Sequence, residues 1–120
     1  MIAGDFLKNN ILLLGGSGTL GKATIQSKLF KNLLHPTSKQ LNILDHINLE
    51  KFIKKNNVKT ILHFAALARV KECEANKNKA YLVNISGTSN VVKVVLKEKN
   101  IKLVFISSDA VYPSTRGKYK

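Results

Sequence analysis

Apolar residues fall along this chain in two textures. Short runs at residues 10–14, 59–66 and 101–108 are almost continuously apolar, as expected of parallel strands buried on both faces. Between them the apolar positions recur at intervals of three and four. Residues 19–31 place Leu20, Ala23, Thr24, Ser27 and Phe30 on one helical face, and residues 46–56 do the same with Ile47, Phe52 and Ile53. A longer helix is predicted around Ala80, Val83, Asn84, Gly87, Val91, Val94 and Val95, running through Lys97. Residues 33–35 read as a brief second strand stopped by Pro36, and residues 41–44 as another extended piece. Strands alternating with helices predict an α/β doubly wound parallel sheet, because right-handed crossovers place helices on both faces.

Length sharpens that picture. At 120 residues the chain has room for one domain, residues 1–120, with one core. No apolar run approaches the roughly 20 residues that cross a bilayer, and residues 1–5 lack the basic head and apolar stretch of a signal peptide. The expectation is a cytoplasmic protein with no membrane association. One cysteine, Cys73, excludes an internal disulfide and agrees with a reducing compartment. The three histidines, His35, His46 and His63, are far apart, and no metal-ligand spacing is present.

The formal net charge of +13 raises nucleic acid as a partner. The lysines, among them Lys28, Lys31, Lys54, Lys55, Lys59, Lys77, Lys79, Lys97 and Lys99, are scattered, and no recognisable DNA- or RNA-binding module accompanies them. They are read as a solvated surface with no nucleic-acid partner. An attraction for anionic small molecules survives that reading.

Gly15, Gly18 and Gly21 stand at every third position between the first strand and its helix. Glycines there permit positive φ, close approach of backbone to a pyrophosphate and close packing of helix on strand. The helix N-terminus adds unpaired N–H groups and the positive end of its dipole. By itself the spacing also suits a tight turn with no ligand. A magnesium-nucleotide phosphate loop is excluded, since Gly21 is followed by Lys22 and Ala23 rather than by Lys and Ser or Thr.

Three further stretches follow in order: HFAALARV from His63 with Glu72-Cys73-Glu74 behind it, VNISGTSN from Val83, and SSDAVY from Ser107. With the glycine turn, this succession resembles the extended short-chain dehydrogenase/reductase family, within it the dTDP-4-dehydrorhamnose reductase and GDP-fucose synthase-like group acting on nucleotide sugars. The resemblance runs from Asn10 to Tyr119. It implies a Rossmann-like sheet and hydride transfer between NAD(P) and a keto-sugar nucleotide. A sugar epimerase or dehydratase, a GDP-fucose synthase-like enzyme and a non-catalytic dinucleotide-binding module remain as alternatives.

Carried onto this chain, the resemblance implies that Gly15, Gly18 and Gly21 hold the pyrophosphate, with Ser17, Thr19 and Leu20 lining the approach. Asn42 and Asp45 border the adenine. Asn42 stands where many relatives have Asp, and Asp45 has an alternative role, the better-supported one, as the N-cap of the following helix. Ala65, Ala66 and Leu67 pass under the nicotinamide-side ribose, although small residues there also suit helix-on-sheet packing. Asn84 orders water beside the active site, and Ser108 hydrogen-bonds the reacting oxygen, with Ser107 as its competitor. Cys73 is read as structural. At the end of the second strand, where NAD users carry an acid, the chain reads His35-Pro36-Thr37-Ser38-Lys39. Lys39 and the two hydroxyls suit a 2′-phosphate, so NADP is expected over NAD.

The family's proton donor, a Tyr paired with a Lys four residues on, is absent: Tyr81 is followed at that spacing by Ile85, and Tyr112 by Arg116. The chain is therefore expected to be the N-terminal part of a longer reductase, C-terminally truncated and inactive by itself. The substrate-binding part would lie beyond it, and a homodimer is left open.

Overall fold

The structure, a computed structural model, describes residues 9–107. Four parallel strands form one sheet in the order β2-β1-β3-β4: β1 is Ile11–Leu14, β2 Leu33–Leu34, β3 Thr60–His63 and β4 Lys102–Phe105. The helices are α1 (Thr19–Ser27), α2 (His46–Lys55), α3 (Val70–Ala75), α4 (Lys77–Tyr81) and α5 (Thr88–Glu98), with a π-helical segment, Leu82–Gly87, joining the last two. This is the α/β Rossmann-like architecture that the alternation of textures predicts.

Every residue of β1 is buried, because the strand is central and covered on both faces. Leu12 and Leu14 join Ile61, Leu49, Ile53, Val91 and Val94 in a core beneath α2 and α5. Ile11 and Leu13 point the other way and, with Leu62, meet Ile25 of α1 and Phe30. The period-two alternation of a pleated strand thus divides one apolar run between two cores. Register is fixed accordingly, with Leu14 opposite His63 and His63 opposite Phe105.

Four sequence expectations need correction. The first helix ends at Ser27 instead of Lys31: Lys28 adopts φ 52° and its N–H turns back to the Ile25 carbonyl, an αL cap that halts the helix. Phe30 is still packed inward, but from the loop. Residues 41–44 form no strand. Leu41 and Ile43 are buried as an alternating strand would bury them, yet their backbone bonds are local: Leu41 N–H donates to the Thr37 carbonyl and Asp45 N–H to that of Asn42. The Asn90 amide supplies a further donor, 2.9 Å from the Ile43 carbonyl. The predicted single helix around residues 80–97 begins earlier, at Lys77, and contains the π-helical segment. The short helix α3 was not predicted.

Candidate dinucleotide site

The sheet order reverses at β1: β2 lies on one side of it and β3 on the other. Crevices at the carboxyl ends of strands flanking such a reversal are where doubly wound sheets take ligands. The glycine turn leaves β1 at that point, and residues 64–69 leave β3 beside it. Phe64 N–H donates to the Leu14 carbonyl at 2.8 Å, which brings the two together.

The three glycines have different physical reasons. Gly15 has φ +94°, and a Cβ there would stand 2.5 Å from the Ala65 nitrogen and 2.7 Å from the Phe64 carbonyl oxygen. A Cβ on Gly21 would collide with the Gly15 carbonyl oxygen, so its absence lets α1 sit against the turn. Gly18 is neither strained nor crowded. Its backbone is extended, at φ −76° and ψ 172°, and the nearest atom to a Cβ would be the Gly15 oxygen at 3.6 Å, ordinary contact. The fold itself therefore tolerates a side chain at Gly18. Gly18 is also the N-cap of α1, with no side-chain cap and no acid in the first turn. Ser17, Gly18, Thr19 and Leu20 are all exposed around this helix start.

The β3 exit is held from the side by the π-helical segment. The Asn84 side chain accepts from Leu67 N–H at 2.8 Å and donates to the Leu67 carbonyl at 3.0 Å, so one amide satisfies both peptide groups of one residue. Cys73 Sγ lies 3.0 Å from the same carbonyl oxygen as a second donor. The extra residue of the π turn aims Asn84 at the loop; such turns are frequent at functional sites. Ala65 is half-buried and Ala66 exposed between the two clamped ends.

Asp45 caps α2, accepting from Asn48 N–H at 3.1 Å. Asn42 accepts from Leu44 N–H at 2.9 Å. Both side chains thus serve their own turns. Beyond β2, the Thr37 hydroxyl accepts from Gln40 N–H at 3.2 Å, while Ser38 and Lys39 are exposed. Ser108 and Tyr112 lie outside the described residues, so the structure brings together the glycine turn, Ala65 to Leu67 and Asn84 but says nothing of the hydroxyl. Thr88, bonded to His63, and Cys73, bonded to the Leu67 carbonyl, carry no signal of these contacts in the sequence. No spacing rule links Leu67 to Asn84 or to Cys73, because the contacts arise only once α3 folds back.

Comparison with known proteins decides the family. The model of the family described as RmlD substrate binding domain matches residues 9–120. The chain belongs to that family. A dTDP-4-keto-6-deoxy-D-glucose reductase of Streptomyces niveus is 31% identical to this RmlD-type chain, covering 87% of it and 36% of the relative. A UDP-glucose 4-epimerase of Haemophilus influenzae is 28% identical over 85% of the chain and 37% of the epimerase. Among solved structures, dTDP-4-dehydrorhamnose reductase of Bacillus anthracis, in complex with NADP, superposes with a TM-score of 0.82 at 26% identity, covering 92% of this chain and 40% of that one. The RmlD-type chain thus spans less than half the length of each of these relatives. No helix among the described residues is long and apolar enough to cross a membrane.

Proposed function

We propose that this chain is the dinucleotide-binding portion of an NADP-dependent reductase of nucleotide sugars. The observation that carries the reading is Gly18. Gly15 and Gly21 are required by the fold's own packing, whereas a side chain at Gly18, at an uncapped helix start, would meet only ordinary contact, and a missing side chain there serves a pyrophosphate laid against the backbone. The N–H groups at the start of α1 bind the phosphates, with Ser17, Thr19 and Leu20 around them. Ala65, Ala66 and Leu67 form the floor beneath the nicotinamide-side ribose, and Asn42 and Asp45 border the adenine. Lys39 and Ser38, exposed beyond β2 with no acid among residues 35–39, suit a 2′-phosphate, in keeping with the NADP of the Bacillus anthracis structure.

A reduced dinucleotide bound there supplies a hydride. The chain's own residues then orient and polarise. Ser108 donates a hydrogen bond to the reacting carbonyl oxygen of a keto-sugar nucleotide, and Asn84 holds the loop on which the cofactor rests. With no Tyr-x-x-x-Lys pair in the sequence, the 120-residue chain binds cofactor without turning substrate over.

Titration of the chain with NADPH and NADH, followed by cofactor fluorescence, tests this. The expected result is saturable binding, tighter for NADPH, and its loss in Gly18→Asp with an unchanged melting temperature. Equal affinity of Gly18→Asp and the natural chain would reduce the glycine turn to a turn.

A further inference from the structure

His63 ends β3 directly beneath the candidate site, and it is the polar side chain that packing explains least. It is only 2% exposed. Its Nε2 lies 2.9 Å from the Thr88 hydroxyl, while its Nδ1 is the one buried side-chain nitrogen or oxygen among the described residues with no hydrogen-bond partner. An aliphatic residue would fill this position, next to Phe105 at 5.7 Å between rings, without stranding a polar atom. The retained imidazole therefore implies a use for its other nitrogen. An orphaned acceptor lone pair is tolerated better than an orphaned N–H, so the proton belongs on Nε2, which donates to Thr88 Oγ1.

We propose that His63 is a positioning residue, whose hydrogen bond to Thr88 fixes the π-helical segment against β3 and so sets residues 64–67 for the dinucleotide. Two rungs make the device. His63 pairs with Thr88 and Leu67 pairs with Asn84; the partners lie four residues apart on each side and run in opposite order. The lower rung joins a strand end to the first residue of α5. The upper one joins the loop to the π segment four residues earlier. Between the rungs lie Phe64, Ala65 and Ala66, and the backbone of the first two packs against Gly15. If the lower rung is cut, the π segment is no longer tied to β3 and Asn84 presents its amide in a less defined place. The assignment rests on the cofactor reading above for what the loop is positioned to do, but not for the positioning itself.

Cys73 provides a readout independent of cofactor, since its thiol bonds the Leu67 carbonyl and is the chain's single cysteine. Alkylation by iodoacetamide is expected to quicken about fivefold in Thr88→Val, the loss of one net hydrogen bond, and to return to the natural rate in Thr88→Ser. The NADPH dissociation constant should rise by a similar factor of about five in Thr88→Val and be rescued in Thr88→Ser. Unchanged alkylation in a folded Thr88→Val overturns the proposal. A natural chain that binds no NADPH, yet shows the alkylation pattern, overturns the cofactor reading and leaves the positioning role supported. Should Thr88→Val not fold, Thr88→Ala carries the same test with Thr88→Ser as its rescue: quickened alkylation in Thr88→Ala supports the positioning role, and the natural rate overturns it.

Discussion

Gly18 and His63 depart from packing in opposite directions. One withholds a side chain where there is room, and the other keeps a polar ring where there is none. Burial holds the His63 imidazole below its ordinary pKa of 6.5, because the charged ring would lose its hydration there. The unfolded chain therefore takes up a proton near pH 6.5 that the folded chain refuses, and stability falls as pH drops from there toward the lowered folded value. Urea midpoints at pH 7.5 and 5.5 should show this decline in the natural chain and a flatter response in His63→Gln. Glu50, whose bonds to Lys97 and Lys54 hold its carboxyl below 4.5, contributes only in more acidic solution. Asn84→Ala leaves the Leu67 N–H without its acceptor and removes one of two donors to the Leu67 carbonyl, and denaturant unfolding should register a loss of about 1–3 kcal/mol. It should also quicken Cys73 alkylation, because the Leu67 carbonyl is then held by the thiol alone.

At the scale of elements, caps settle what periodicity leaves vague. α1 stops at Ser27 because Lys28 is in the αL region, which a residue with a Cβ adopts at some cost. Lys28→Gly relieves that cost and should stabilise the chain by about 0.5–1 kcal/mol in thermal unfolding. α2 starts where Asp45 accepts from Asn48 N–H, the capping role the sequence favoured. Asp45→Ala should cost about 1 kcal/mol. Measured beside it, NADPH affinity separates the two roles given to this residue: an affinity equal to that of the natural chain assigns Asp45 to capping alone. The stretch Leu41 to Leu44 shows why alternation is not pairing. Its apolar character was legible, but whether its peptide groups join a ladder depended on a neighbouring strand. Local turns and the Asn90 amide supply the bonds in its place.

For the whole molecule, charge matters more than any one ion pair. α2 and α5 share a surface network in which Lys54 meets Glu50 and Glu98 and Lys97 meets Glu50 at 2.7 Å, yet exposed pairs of this kind contribute little each. Against them stands the repulsion of a net +13 spread over 120 residues. Screening should therefore help more than it harms, and the melting temperature is expected to rise between 20 and roughly 300 mM sodium chloride as the Debye length shrinks below about 10 Å. A fall would mean that the pairs outweigh the repulsion. Phe105 and Ile106 are about half exposed at the outer strand of the described sheet, apolar surface that favours association when charge is screened, so the comparison belongs at low protein concentration.

The amino-acid sequence by itself determined the class of fold, the central buried strands, the glycine turn and the Asp45 cap, because each depends on local pattern: period two, period three to four, or a residue type at a fixed offset. Family membership was legible for the same reason, in motifs that keep their order along the chain. Only the tertiary structure decided which glycine the fold can spare, where the second extended piece obtains its hydrogen bonds, and that Asn84, Cys73, His63 and Thr88 converge on one loop. Those facts concern residues such as Leu67 and Asn84, 17 positions apart. A pattern of neighbours cannot encode the distance between two amides that meet only when a helix, a π turn and a strand end are packed together.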